Sequence, residues 1–340
     1  MTSDLNSQLS AMTGARQTMS SWAKVIESPE AVPKVYRSSF NTVFGHEPTM
    51  PYTVFAPAIA GLRHRTTEKL LCEVHDTIYV WERVGNQVAL AAYPTETISD
   101  LEVGEILLFS WITIGGLTQA GEVSATTIEF NTATSRHFAR FVSLIRPAPD
   151  PLAGLALAVE QAKFDHLAAE SFKFGSFGCS SLVEGEQVHQ IVWQPKIRKP
   201  LTRLGKFAFY QTLSLPRVAI LTDKELIVIQ DDERTRENRG VRYGGKWRYV
   251  ALRHIGAVAV SAQGDDGLTL SLTLVPGGRQ LEIMFAMSRK EQIARLQDCL
   301  ENRSEAAKDL GRSVVTSTPA ATAPDRARHA SPGRESDCLK

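Results

Sequence analysis

The chain of 340 residues is poor in the features that usually betray chemistry. Its four cysteines, Cys72, Cys179, Cys299 and Cys338, stand far apart and form no CxxC pair. That excludes a disulfide framework and a zinc ribbon, and fits a reducing compartment. There is no GxSxG elbow, no Walker A loop, no HExxH and no GxGxxG following a strand, so the hydrolase, nucleotide and metalloprotease classes that these motifs serve have no support. Apolar runs are short. Those at 218–221 and 226–229 fall far below the ~18 residues that a membrane span requires. The opening MTSDLNSQLS has no basic region ahead of an apolar core, so no secretory signal is expected. Cys338 stands third from the end, which is not a prenylation box. The expected location is the cytoplasm. Charge of one sign is lacking too: a net charge of +1 gives no whole-chain attraction for nucleic acid or for an acidic substrate.

What is present is strand pattern. Leu268, Leu270, Leu272 and Leu274 alternate with Thr269, Ser271 and Thr273, as a half-buried strand requires. Pro276-Gly277-Gly278 turns the chain, and Leu281, Ile283 and Phe285 alternate on the return, predicting an antiparallel hairpin. Ser288-Arg289-Lys290-Glu291 then has the form of a capping box, and Ile293, Leu296 and Leu300 make one apolar helical stripe that ends near Arg303. Further strands are predicted near 188–193, 207–213, 217–221, 225–229, 247–252 and 255–262. The first half repeats this order more faintly, with strands near 52–55, 70–74, 78–82, 88–92, 107–114 and 126–130. A helix carrying Phe138, Phe141, Val142 and Ile145 follows. Ile98, Leu101 and Val103 match Ile255, Val258 and Val260 in spacing. Phe130 before Ser135-Arg136 matches Phe285 before Ser288-Arg289 at a nearly constant offset, which points to duplication.

Five regions are expected. Residues 1–45 form a polar, loosely held arm, and 46–147 a first domain. Residues 148–169 form a connecting helix through Leu155, Val159 and Leu167, 170–303 a second domain, and 304–340 a disordered tail whose Ser, Thr, Pro and Ala content from Ser313 on cannot repay the entropy of ordering. About seven strands closed by one amphipathic helix resemble the pleckstrin homology (PH) superfold. The resemblance is carried by 220–228, by Trp247-Arg248-Tyr249-Val250-Ala251-Leu252, and by the hairpin and helix after it. The chain is similar there to tandem bacterial PH-like domain proteins of unassigned activity. It implies a mainly β fold with α: two antiparallel β-barrels, each closed by a C-terminal helix. A fold of this kind hosts many unrelated tasks.

One charge feature rises above background. Lys196, Arg198, Lys199, Arg203, Lys206 and Arg217 follow one another with no Asp or Glu between them. The PH resemblance places this stretch between the first two strands of a unit, where phosphoinositide-binding members hold phosphates. Lys196, Arg198, Lys199, Arg203 and Lys206 are therefore the candidate anion-binding loop, as against an ordinary solvated surface. A second cationic run, 234–248, is offset by Asp231, Asp232, Glu233 and Glu237 and is expected to pair with itself. Trp193, Phe207, Phe209 and Tyr210 flank the first run, but strand positions and weak overall charge argue against stacking on nucleic acid. Cys72 and His75, on opposite faces of a strand, do not suit one metal ion, and the glycine pairs at 115, 244 and 277 are expected to be turns. Cys179 beside Ser180 is the one candidate nucleophile, without a base in sequence. The expected function is non-catalytic: a module for a protein partner, needing no cofactor or metal. The alternative is peripheral binding of anionic lipid, at the inner face of the membrane, or of a phosphorylated ligand, through the basic loop 196–206.

Overall fold

The computed structural model describes residues 22–45, 49–59, 66–146, 148, 157–204, 207–234, 242–264 and 267–316, with the backbone alone for 201–209, 304 and 306–316. The fold is mainly β with some helix. Strand β1 (Lys24–Ile26) and helix α1 (Lys34–Phe44) lead into β2 (Tyr52–Ala56), β3 (Lys69–Val74), β4 (Thr77–Val84) and β5 (Gln87–Pro94). Strands β6 (Ile98–Ile106), β7 (Phe109–Leu117) and β8 (Val123–Asn131) and helix α2 (Ala139–Ile145) complete the first half. The second half has helices α3 (Leu157–Ala162), α4 (Asp165–Glu170) and α5 (Phe172–Ser181). After them come β9 (Val188–Gln194), β10 (Ile197–Leu204), β11 (Phe207–Ser214), β12 (Arg217–Thr222), β13 (Glu225–Gln230) and β14 (Gly245–Ala251). Strands β15 (Ile255–Gln263), β16 (Gly267–Leu274) and β17 (Arg279–Ala286) and helix α6 (Lys290–Thr316) end it.

Pairing is antiparallel throughout. A five-stranded sheet runs β1-β2-β3-β4-β5, a seven-stranded sheet β8-β7-β6-β14-β13-β12-β9, a three-stranded sheet β15-β16-β17, and β10-β11 stand as a hairpin. The expected closed barrels are replaced, among the described residues, by these open sheets. The physical reason is the pairing of β6 with β14, in register Leu101 with Tyr249, Val103 with Trp247 and Glu105 with Gly245. It spends the edge of β14 on the other half of the chain instead of on its own. The seven-stranded sheet thus takes three strands from before residue 147 and four from after it, so the expected domain boundary does not divide the sheets.

The two faces of that sheet serve different cores. On one face Leu101, Ile112, Ile114 and Ile128 pack against Val54, Leu71, Tyr93 and the helix residues Phe138 and Phe141. Further along the same face Val218, Ile220, Ile227 and Ile229 receive Phe164, Leu167 and Phe174 from the helices ahead of β9. The opposite face there, with Ala219, Leu221, Leu226, Val228 and Val250, meets β15 to β17 and Ile293, Leu296 and Leu300 of α6. Strands β12 and β13 are therefore buried on both sides, which is why 218–221 and 226–229 read as continuous apolar runs.

Several expectations need correction. Residues 24–44 are not a loose arm: Tyr36, Phe40 and Phe44 of α1 are buried against Leu70, Cys72 and Trp81 on the outer face of the five-stranded sheet. In the described part of the expected connecting helix, 148–169, two short helices, α3 and α4, stand in place of one, and Gly175 and Gly178 let the following α5 approach Ala168 and the Phe164 ring closely. Helix α6 starts at Lys290 after a 3-10 turn that includes Ser288, and it runs on to Thr316, past both Arg303 and Ser313. Residues 317–340 lie outside the described residues. Gly115 and Gly116 sit inside β7, not in a turn; a Cβ on Gly115 would fall on the Arg279 guanidinium that pairs with Asp100 at 2.8 Å.

Where the halves meet below the ladder, Arg146 at the end of α2 enters a buried acidic pocket. It donates to Glu225 of β13 and to the Ser181 carbonyl at 2.8 Å, lies over the Tyr249 ring at 4.0 Å, and has Glu186 within 3.9 Å. Two buried carboxylates share one guanidinium. Burial, then the charge of Glu225, pushes the Glu186 carboxyl from its ordinary 4.5 to about 7. Burial raises Glu225 as well, against the pull of Arg146.

Between pH 4.5 and about 7 the folded chain thus holds a proton on Glu186 that the unfolded chain has released. This group's stabilising contribution is complete below the unfolded value and is lost as pH rises through the folded one. Chemical denaturation of Glu186→Gln should show a flatter pH dependence over that window and a gain relative to wild type above it. An unchanged slope would remove Glu186 as the titrating group. In the second core, Leu296 is fully buried, and Leu296→Ala should cost about 2 to 5 kcal/mol in the same assay. A near-neutral result would contradict its placement.

Candidate functional site

The basic run is not a loop. Residues 197–204 form β10, paired with β11 from Ile197 against Ser214 to Leu204 against Phe207, with a register shift between Pro200 and Thr202. Alternation along a strand sends Arg198 and Lys199 to opposite faces. Lys196 is half-buried just before the strand, Arg198 and Lys199 are exposed, and all three hold electrostatic or hydrogen-bonding partners. Lys206 and the side chain of Arg203 lie outside the described residues. The described cations of 196–206 therefore do not make one continuous surface.

Arg217, the last cation of the run, starts β12 at the base of this hairpin. Its Nη2 donates to Ser214 Oγ at 2.7 Å, and its buried Nε has no hydrogen-bond partner. Burial pulls its pKa down to about 10, with Glu233 opposing. The guanidinium borders a cavity of 330 Å³ shared with Ser214, Gln230, Glu233 and Arg242. A charge left this thinly compensated is rare in a folded chain and suits a small anion. The second cationic run is only in part self-paired: Arg234 holds Asp232 at 2.9 Å and lies 3.7 Å from the Trp111 ring centroid, while Arg248 pairs with Glu102 of the first half.

A larger recess lies elsewhere, a groove of 580 Å³ between β4-β5 and β8. Lys69, Glu82, Ala89, Ala91, Glu122 and Thr126 border it. Lys69 is held by Glu82 at 3.1 Å, and the Thr126 hydroxyl shares a 2.8 Å hydrogen bond with that of the buried Tyr93. Strand β5 ends the five-stranded sheet, and Leu90 on it is 42% exposed. Its Ala92 carbonyl accepts from the Gln119 N–H at 2.8 Å. A smaller recess of 160 Å³ lies between β13-β14 and β17, with Glu102 of β6 and its partner Arg248 in the lining.

Among the described residues, no base is in hydrogen-bond contact with Cys179. It lies half-buried on α5, its thiol donates to the Gln161 carbonyl at 3.5 Å, and Ser180 Oγ donates to the Phe177 carbonyl at 3.1 Å. Burial, then the charge of Asp165, pushes the thiol up. Cys72 is in the core, where burial pushes its thiol up to about 12, and His75 sits in the following turn. His254 is buried with Nδ1 2.8 Å from the Val275 carbonyl; burial, then Arg253, takes it down to about 4, so it is neutral at neutral pH. Among the described residues no group of three His, Cys, Asp or Glu is placed to hold a metal, and no helix is long and apolar enough to cross a membrane.

Sequence reasoning missed α1 and the role of β6. The signal for α1 was there, since Val32, Tyr36, Phe40 and Phe44 recur at every fourth residue. The partner of β6 had no local signal, because a strand's neighbour across the chain is not encoded in its own pattern. No protein-family model matches the chain, and no curated protein matches it either.

The raised thiol gives a simple check. Cys179 should react with iodoacetamide at pH 8 several-fold more slowly than an unstructured cysteine peptide. Equal or faster reaction would restore it as a nucleophile.

Proposed function

We propose that the chain is a non-catalytic interaction platform built from two PH-like units, and that the first unit receives an extended segment of a protein partner along β5. The duplication is supported by matching element order. A helix covers the outer face of a first sheet, α1 in one half and α5 in the other. Strands β2 to β5 match β9 and β12 to β14, β6 to β8 match β15 to β17, and α2 matches α6. Even the strand irregularities agree, between Ile98 and Asp100 on β6 and between Ile255 and Ala257 on β15. The hairpin β10-β11 is an insertion in the second unit.

The observation that carries the reading is the difference between the two equivalent grooves, 580 Å³ in the first unit and 160 Å³ in the second. In the second unit a strand from the first lies along β14. In the first unit nothing among the described residues lies along β5 beyond the contact at Ala92. Adding a strand satisfies the outward backbone groups of an edge, and side chains at alternate positions read the groove beside it. Its small Ala89, Ala91 and Ala125 leave room beside the edge for the side chains of an added strand.

Peptide-display selection on the whole chain should enrich extended, β-forming sequences. Ala125→Arg should weaken the selected peptides roughly tenfold or more while leaving Tm unchanged. Peptides that bind indifferently to this substitution would overturn the location.

The cavity at Arg217 favours a second reading, capture of an anionic headgroup at the hairpin base. Sedimentation with vesicles containing anionic lipid should then be salt-sensitive and lost in Arg217→Gln. Absence of wild-type binding at low ionic strength would end this reading.

A further inference from the structure

The chain contains a worked example of how its own units join. Strand β6 of the first unit pairs with β14 of the second, Glu102 opposite Arg248 and Val103 opposite Trp247. Each of these strands has a counterpart. That of β6 is β15, which forms one edge of the three-stranded sheet, and that of β14 is β5, which forms one edge of the five-stranded sheet. Both counterparts lack a strand partner on that side among the described residues. We infer that β15 of one copy of this chain pairs antiparallel with β5 of a second copy, repeating between molecules the joint that β6 and β14 make within one. The inference rests on the reading of the halves as equivalent units and names the partner for the β5 edge.

The two edges suit each other. Gln87–Pro94 and Ile255–Gln263 contain no charged residue. Edges of soluble proteins are ordinarily guarded by charge, proline or a short length; these strands are eight and nine residues long, and their one proline, Pro94, stands at the very end of β5, beyond the stretch that would pair. Carrying the internal register across sets Ala259 opposite Ala91 and Val260 opposite Leu90, where β6 and β14 have Glu102 with Arg248 and Val103 with Trp247. The salt bridge of the internal joint is thus exchanged for small apolar contacts on both sides at once. Ala257, Ala259, Ser261 and Ala262 of β15 are exposed, and Leu90 is 42% exposed.

The helices do not forbid this. Helix α6 packs on the inner face of β15 through the stripe that contacts Val258 and Val260, as α2 packs on the core that contains Leu101 and Val103, and β6 still pairs through its edge. The groove fits as well: β15 would overlie the 580 Å³ recess just as β6 overlies its 160 Å³ counterpart. The Gln119 amide already holds the Ala92 carbonyl, so the new ladder ends at that residue. Because one copy offers β5 and the other β15, the contact is head-to-tail. Each pair keeps one free edge of each kind, and growth continues unless a ring closes.

The register supplies a crosslinking test. The Ala92 carbonyl points away from β4, so Ala91 falls at a non-hydrogen-bonded position, where facing Cα atoms are about 4.5 Å apart and within disulfide reach. Full-length Ala91→Cys and Ala259→Cys proteins are prepared with Cys179, Cys299 and Cys338 changed to Ser, and each reduced protein alone and their equimolar mixture are then oxidised in parallel. The expected result is a covalent dimer in the mixture and almost none in either protein alone. In sedimentation, wild-type mass should rise with concentration, and Ala259→Lys should remain at the 37.4 kDa of one chain with unchanged circular dichroism. A wild-type monomer at every concentration with no mixed disulfide overturns the inference. If the display-selected peptides still bind that monomer, the groove reading survives without it. Dimers of Ala91→Cys alone would mean a symmetric β5–β5 contact and overturn the head-to-tail joint.

Discussion

The ladder between β6 and β14 is the constraint on which the rest of the architecture depends. It turns two strand-rich halves into neighbours in one seven-stranded sheet and sets which face of that sheet each core occupies. Over β12 and β13 the helix residues Phe164, Leu167 and Phe174 cover one face while β15 to β17 and α6 cover the other, so these strands are buried on both sides. Such strands cannot alternate. They must be apolar throughout, as 218–221 and 226–229 are.

The side chains around the ladder reinforce it with charge. Arg248 reaches Glu102, Arg279 reaches Asp100, Arg146 reaches Glu225, and Arg234 lies over Trp111, each joining one half to the other. Arg248 and Arg279 are part-exposed cations that each meet one carboxylate, but Arg146 is different because its single guanidinium serves two buried carboxylates, Glu225 and Glu186. Removing the arginine would leave two carboxylates in the interior. Gly104 on β6 completes the joint by leaving room for the Trp111 indole, whose Nε1 donates to Glu102 at 3.0 Å.

Much of the strand content was legible because period-two alternation is a local signal: the leucines of β16 and the returning Leu281, Ile283 and Phe285 of β17 lie where their spacing puts them. Helix α6 was legible from the stripe Ile293, Leu296 and Leu300. What depended on distant partners was not. Strand β6 carries Glu102 and Glu105, which obscure its apolar face, and its pairing with β14 joins residues more than a hundred positions apart. The basic run was legible as composition, but its folding into a hairpin strand separates Arg198 from Lys199. The residue with the thinnest compensation, Arg217, stood at the margin of the cluster. The groove beside β5 left no trace in sequence beyond a row of alanines.

Native-state hydrogen exchange at the β6–β14 ladder tests the account most directly. If the ladder unites the two halves, the amides of β6 and β14 that bond across it should exchange only through global unfolding, with the same denaturant dependence as the buried amides of β13 and β16. Exchange of the ladder amides at markedly lower free energy, with the two halves then unfolding in separate steps, would contradict it.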